Sequence, residues 1–236
     1  MKTYILTSDK LVNQTVKMVD HIYPKYHPKG EVCILGYKPP ITKSQIYNFK
    51  SIGVDDGPNS VCKQLFSFFN SINDEFFMIE VDDKPLLQSY NYEILDILLS
   101  KIKNNNKIGR IGLTLDNTYR RHKTIETIKL KNGSMILYKN LVGENHKLSI
   151  TNSLWNKTYF LKYLNGCNNL WEWEVDMSKL SNKDDWLILG SKPSVSDFSH
   201  LFKKGRLIPT WQTSPHTRKK LDKEDIKIIK NLYNIK

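Results

Sequence analysis

The sequence predicts an α/β protein with a mostly parallel central sheet flanked by helices, and a mixed second half containing a β-hairpin. Three observations carry this. In the first half, short apolar runs of strand length alternate with stretches whose apolar residues recur at helical spacing. The strand-like runs are apolar throughout, as expected where helices cover both faces of a sheet and the crossovers are right-handed. In the second half, "TIKLKNGSMILYK" (127–139) places Asn132-Gly133 between two strand-like runs, a strong short-range hairpin signal.

The elements follow in order. "TYILTS" (3–8) reads as a short buried strand, and after it Leu11, Val12, Val16 and Val19 recur at helical spacing. "EVCILGY" (31–37) is a second strand and "YNFKSIG" (47–53) a third. Val61, Leu65, Phe68, Phe69 and Ile72 mark one face of a helix over 59–72. A fourth strand runs through "FFMIEV" and stops on Asp82-Asp83; a helix over 92–102 and a strand over 108–115 follow. Beyond the hairpin, "TNSLWNKTYFLKYLNG" (151–166) predicts a helix with a Thr or Asn cap and Gly166 as its stop. A short helix is expected in "NLWEWEVDMSKL", a strand in "WLILG", and a lysine-rich helix in "DKEDIKIIKNLY". With no low-complexity linker, the 236 residues read as one domain.

Composition narrows the class. Three cysteines, Cys33, Cys62 and Cys167, are far apart and odd in number, so neither a disulfide framework nor a zinc knuckle is indicated, and they are expected to be reduced core residues. No apolar run has the length of a signal peptide or a membrane span, so a soluble, cytoplasmic protein is expected. The net charge of +12 invites a nucleic-acid partner. Only Arg110, Arg120, Arg121, Arg206 and Arg218 among the 36 basic residues are arginines, whereas base-edge recognition leans on the forked guanidinium. The chain also lacks alanine and is crowded with Lys, Asn, Ile and Tyr, the composition of an AT-rich gene. Nucleic acid is therefore not the expected partner, and an anionic small ligand suits the charge equally.

The two adjacent acids pose the chemical question. Asp82 and Asp83 repel each other and raise one another's pKa, so neither is buried cheaply. In open α/β sheets ligands gather beyond the carboxyl ends of the strands, where these acids stand. A divalent metal shared with substrate phosphates turns the repulsion into attraction. A helix N-cap, with Pro85 in the first turn, is the alternative, and the stretch alone leaves both open. With Glu80 as a third ligand the same acids also fit a metal-dependent nuclease or basic nucleic-acid-binding protein.

From "CILGYKPP" through "NFKSIG", "NDEFFMIEVDD", "IGRIGLTLDNTYRR" and "SITNSLWNKTYFLKYL" to "LWEWEVD", the chain resembles nucleotide-sugar glycosyltransferases of the GT-A fold found in phage, viral and bacterial glycan gene clusters. The resemblance spans about residues 3–205 and is most specific in the strand ending in Asp-Asp, in "GRIGLT", and in the Leu-Trp helix with its Trp-x-x-Glu. It implies a Rossmann-like GT-A domain with a nucleotide-sugar-binding half over 1–116, and an acceptor-side half with the C-terminal helix over 117–236. It also implies Mn²⁺ or Mg²⁺ on Asp82 and Asp83, which stand where such enzymes carry Asp-x-Asp; which acid meets the metal stays open.

The activity implied is transfer of a sugar from a nucleotide-diphosphate donor to a hydroxyl of a glycan or lipid-linked acceptor. An inverting enzyme needs a carboxylate base, and "LWEWEVD" offers Glu172 and Glu174 between Trp171 and Trp173. Apolar rings raise an acid's pKa and suit a sugar face; Glu174 completes Trp-x-x-Glu and is the expected base. Without the resemblance, a solvated helix face and core tryptophans would be the simpler reading. Thr7, Ser8 and Asp9 end the first strand, where such enzymes contact the nucleotide; a cap for the next helix is the alternative. Arg120 and Arg121 are candidates for gripping the diphosphate, or an exposed loop pair. His200 stands where some relatives supply a late metal ligand, although a lone histidine is more often structural. Lys223, Lys227 and Lys230 form a basic stripe against Ile226, Ile229 and Tyr233, a pattern suited to an anionic membrane or to a helix packed on its own domain. A catalytically inactive sugar-binding domain is a further reading.

Overall fold

The computed structural model describes every residue except 28, 45, 116–121, 142–146, 204–205 and 236. The chain runs β1 (Lys2–Leu6), α1 (Val12–Tyr26), β2 (Glu31–Gly36), β3 (Asn48–Ser51), α2 (Val61–Ser71), β4 (Phe76–Val81), α3 (Tyr92–Asn104), β5 (Ile108–Gly112), β6 (His122–Leu130), β7 (Gly133–Asn140), β8 (Ser153–Asn156), α4 (Lys157–Leu164), α5 (Leu170–Glu172), α6 (Ser178–Leu180), β9 (Leu187–Lys192), β10 (Phe202–Lys203), β11 (Arg206–Leu207) and α7 (Lys223–Leu232). A single π-helical turn, Trp173–Met177, joins α5 to α6. The chain divides into two compact units.

The first unit comprises Lys2–Ser51, Glu80–Tyr90 and Ser196–Lys236. Its strands lie in the order β3-β2-β1, all parallel, with Tyr4 opposite Cys33 and Leu35 opposite Lys50. Tyr4, Ile5, Ile34 and Leu35 are buried to about 1% or less. On α1, Val12, Thr15, Val16, Val19, Ile22 and Tyr23 form the buried face that the periodicity predicts. On α7, Ile229 is fully buried while Lys223 and Lys227 stay exposed. Asp222 caps α7, its Oδ1 accepting from Asp225 N at 2.8 Å.

The second unit comprises Met1, Ile52–Ile79 and Asn91–Val195, with strand order β4-β8-β5-β9-β7-β6. β5 and β9 are parallel, while β8 is antiparallel to both β4 and β5. β7 is antiparallel to β9 and to β6, so β4, β5, β9 and β6 share one direction and only β8 and β7 oppose it. The predicted class holds: an α/β fold on a mostly parallel sheet flanked by helices. The hairpin forms, with its turn one residue earlier than the Asn132-Gly133 that the sequence suggested. Leu130 pairs with Gly133 across Lys131-Asn132, and Gly133 takes φ 109°, a region open chiefly to glycine.

One expectation changes. The helix predicted over 151–166 begins only at Lys157, because Ser153–Asn156 is instead the strand β8. Wedged between β4 and β5, Leu154 and Trp155 are fully buried, and pairing on both edges outweighs their helical spacing. Asn156 does the capping, accepting from Tyr159 N at 3.3 Å. Trp155 then joins an aromatic cluster with Phe160 (5.1 Å), Trp173 (5.3 Å), Phe77 and Phe69, the last two stacked at 4.5 Å. Such pairs add roughly 0.5–1.5 kcal/mol each beyond the area they bury.

In the first unit, His27 follows α1 with 2% of its surface exposed. Its Nε2 lies 3.2 Å from Thr3 Oγ1 and its ring lies against Tyr90 at 4.2 Å. The ring covers Gly30 so closely that a Cβ there would fall 1.8 Å from Nε2. Burial lowers its pKa from 6.5 to about 4. The unfolded chain therefore takes up this proton near pH 6.5 and the fold resists until about 4. The stability involved is fully present above 6.5 and is lost as pH falls between these values, up to about 3 kcal/mol. His27→Gln is expected to flatten the slope of unfolding free energy against pH in that window by nearly one proton, measured by urea melts; an unchanged slope contradicts the assignment.

Candidate metal and diphosphate site

The site is built at the carboxyl ends of β1 and β4, within the first unit. Asp82 follows β4, and its backbone N–H donates to Leu6 O at 3.1 Å, fixing it beside the end of β1. Its Oδ2 accepts from Thr7 Oγ1 (2.7 Å), Ser8 N (3.3 Å) and Thr15 Oγ1 (3.5 Å). Thr7 and Thr15 hydroxyls lie 2.9 Å apart, and Thr15 also donates to Leu11 O. One carboxylate oxygen is thus held by the Thr7 hydroxyl and the Ser8 amide of the β1–α1 connection, with the Thr15 hydroxyl, whose single hydrogen is shared with Leu11 O, at the limit of reach.

Asp83 is positioned differently. The 197–201 segment runs antiparallel to 83–87, with Leu87 N donating to Asp197 O, Ser199 N to Pro85 O and Leu201 N to Asp83 O, all at 2.8–3.0 Å. This ladder brings His200 to Asp83, Nε2 to Oδ2 at 3.1 Å, with the side chains 33% and 23% exposed. The helix-cap reading of the acids does not hold, because no helix starts here: the chain turns and Leu86 bridges to Phe198 before α3 begins at Tyr92. Nor do Thr7, Ser8 and Asp9 cap α1, whose N-cap position, Leu11, has no side-chain bond. Asp9 instead accepts from Lys38 N at 3.0 Å.

Burial raises the Asp82 pKa from 3.8 to about 6; the Thr7 hydrogen bond opposes the shift and the neighbouring Asp83 charge adds to it. Tyr233, just past α7, is held above the usual phenol range by burial and then by the charges of Asp82 and Asp83. Thr15 was not singled out in the sequence, and Tyr233 was read there only as part of the apolar side of the C-terminal helix. Thr15 left a signal, a hydroxyl on the otherwise apolar face of α1 in register with Val12, Val16 and Val19; nothing marked Tyr233 as a neighbour of the acids.

The donor set suits a hard divalent cation. Oδ1 of Asp82 and of Asp83 accepts no hydrogen bond among the described residues, and the His200 imidazole stands against Asp83. Among the described residues no three His, Cys, Asp or Glu side chains form a ready metal cage. Mg²⁺ and related ions are commonly held by one or two carboxylates, with substrate phosphates and water completing the shell, so a cage is not required. Glu80 is not available as a third ligand: it is fully buried and accepts from both Tyr23 and Tyr90 hydroxyls.

The remaining candidates lie elsewhere. Glu172 and Glu174 belong to the second unit. Glu172 closes a capping box with Asn169: its own N–H donates to Asn169 Oδ1 at 3.0 Å while its carboxylate accepts from Asn168 N (2.9 Å) and Asn169 Nδ2 (2.9 Å). Glu174 is half-buried, with Oε1 accepting from Ile150 N at 3.3 Å. Trp173 is wholly buried, whereas Trp171 is 69% exposed. Arg120 and Arg121 lie outside the described residues.

No protein-family profile matches the sequence, and no curated protein matches it. Among solved structures, the chain is similar to a CMP:2-keto-3-deoxy-manno-octonic acid synthetase complexed with CTP, at 9% identity and a TM-score of 0.45 over 82% of this chain and 92% of that one. An apo UDP-glucose pyrophosphorylase gives 9% identity and a TM-score of 0.45 over 85% and 93%. The bifunctional glycosyltransferase WbbM gives 7% and 0.43 over 77% of this chain and 37% of that one.

An acid whose folded pKa lies above its unfolded value makes ionisation cost stability, fully above the folded pKa and not at all below the unfolded one. Asp82→Asn retains a carbonyl acceptor for Thr7 and Ser8 while removing the charge. Without divalent ions it is expected to be about 1–2 kcal/mol more stable than the parent at pH 8, the gap closing as pH falls from 6 to 4. Denaturant melts at the two extremes check this; a variant less stable at pH 8, or a gap independent of pH, contradicts it.

Proposed function

We propose that the chain is a metal-dependent glycosyltransferase that moves a sugar from a nucleotide-diphosphate donor to a hydroxyl of a glycan or lipid-linked acceptor. The observation that carries the reading is the half-buried Asp82-Asp83 pair at the ends of β1 and β4, each acid with one oxygen anchored and one open. Two like charges held side by side with one oxygen each unbonded are a standing cost, and a cation with a diphosphate would remove it.

Asp82 and Asp83 are assigned to the metal, with His200 poised on Asp83. Thr7, Ser8 and Thr15 fix the carboxylate angle, and Thr7, Ser8 and Asp9 line the path from β1 toward the nucleotide. Mn²⁺ or Mg²⁺, when bound, neutralises the charge that grows on the departing diphosphate. The acceptor oxygen attacks the anomeric carbon as the bond to the diphosphate breaks, and the acceptor's proton passes to a carboxylate. Glu174 is assigned that role and Glu172 holds the helix that carries it; Arg120 and Arg121 are assigned to the diphosphate. "TSDKL", which links β1 to α1, has no glycine with which to wrap backbone N–H groups around a triphosphate, which favours glycosyl over nucleotidyl transfer. No described helix is long and apolar enough to cross a membrane. A cytoplasmic enzyme is proposed, with Lys223, Lys227 and Lys230 available to an anionic membrane where lipid-linked acceptors reside.

Screening nucleotide sugars with Mn²⁺ or Mg²⁺ is expected to show release of the nucleoside diphosphate, abolished by EDTA and lowered about 100-fold or more in Asp83→Asn. Full turnover under both conditions, or release of pyrophosphate from a nucleoside triphosphate and a sugar phosphate instead, contradicts the proposal. Glu174→Gln is expected to keep the thermal shift given by donor and metal while losing transfer; an active variant reassigns the base.

A further inference from the structure

Two of the three cysteines, remote in sequence, meet inside the second unit. Cys62 is the second residue of α2 and Cys167 follows α4; both are buried, and the Cys167 thiol donates to Cys62 Sγ at 2.7 Å. The surrounding backbone holds them there: Cys62 N donates to Asn168 O (3.4 Å) and Asn169 Nδ2 to Asn59 Oδ1 (3.2 Å). No third His, Cys, Asp or Glu among the described residues joins them to make a metal site. A disulfide has an S–S length of about 2.05 Å, so less than an ångström of further approach closes the bond. We infer that Cys62 and Cys167 are a modification site, forming an intramolecular disulfide when the protein meets a low-molecular-weight disulfide oxidant.

The chemistry balances as thiol exchange. The Cys167 thiolate attacks the oxidant's S–S bond and releases one thiolate; Cys62 then displaces the second, leaving a protein disulfide, two reduced small thiols and no net proton change. The two electrons pass from the cysteine pair to the oxidant. The Cys167 sulfur and then burial hold the Cys62 thiol well above its usual range, so closure is slow and is followed to completion. Cys33, alone and buried on β2 in the first unit, is the internal control. The bond would tie the start of α2 to the Cys167–Asn169 turn, whose Asn169 and Glu172 cap the helix leading to Trp173 and Glu174. The disulfide stands on the sulfur geometry alone, independent of the proposed activity.

The test incubates the whole protein with oxidised glutathione, removes the reagent, unfolds the chain and counts thiols, alongside Cys62→Ser and Cys33→Ser. In the parent, which has three cysteines, the count is expected to fall to one, in Cys33→Ser to none, and in Cys62→Ser no intramolecular link forms. Peptide mapping of the parent should join the 62 and 167 peptides, and its melting temperature should rise by about 5 °C, reversed by dithiothreitol. The map decides even if Cys62→Ser fails to fold. Three surviving thiols, a link through Cys33 or between two chains, or glutathione retained on Cys167 without the bond to Cys62 overturns the inference.

Discussion

The activity proposed for this protein depends on two adjacent carboxylates held together at the end of β4. Asp82 is pinned by the Thr7 hydroxyl and the Ser8 amide, and its backbone is tied to the last residue of β1. Asp83 is tied through its carbonyl to Leu201 and through its side chain to His200. Burial raises the Asp82 pKa and the neighbouring Asp83 charge adds to it, while the anchoring hydrogen bonds oppose the rise, so ionising Asp82 carries a standing cost. A fold seeking stability alone would place an amide at one of these positions. Retaining two acids fits the cation site that we propose.

The supporting structure is organised around that placement. α1 supplies Thr15 from its buried face, the 197–201 ladder supplies His200, and α7 brings Tyr233 into the field of both acids. Two residues before Asp82, Glu80 points into the core and satisfies both carboxylate oxygens on tyrosines. Period-two alternation puts Glu80 and Asp82 on the same face of the strand, and depth alone separates their roles. Burial favours the protonated form of Glu80 and hydrogen bonds oppose it, whereas Asp82, in the turn after β4, is only half-buried.

Much of this was legible in the sequence, for physical reasons that differ by element. α1, α3 and α7 each bury one face, so their periodicity survives in the sequence, and the parallel strands read as continuous apolar runs. β8 was not legible: four residues carry too little periodicity, and its partners on β4 lie over seventy positions away, so the caps of the following helix dominated the reading. The acids were visible as a pair, but their environment was not. Asp83 and His200 are 117 positions apart, and only the backbone ladder joins them. Thr15 was disguised as one polar residue in a helix, and the Cys62–Cys167 approach, across 105 positions, had no local signal at all.

In the proposed site Asp82 and Asp83 together hold a divalent ion that a nucleoside diphosphate completes. Electron paramagnetic resonance of Mn²⁺, titrated with and without UDP or GDP, reads that occupancy without requiring turnover. One ion per chain is expected, bound more tightly with the diphosphate, and no such site in the Asp82→Asn/Asp83→Asn double variant. Equal Mn²⁺ uptake by the double variant, or uptake by the parent that no nucleoside diphosphate strengthens, contradicts it.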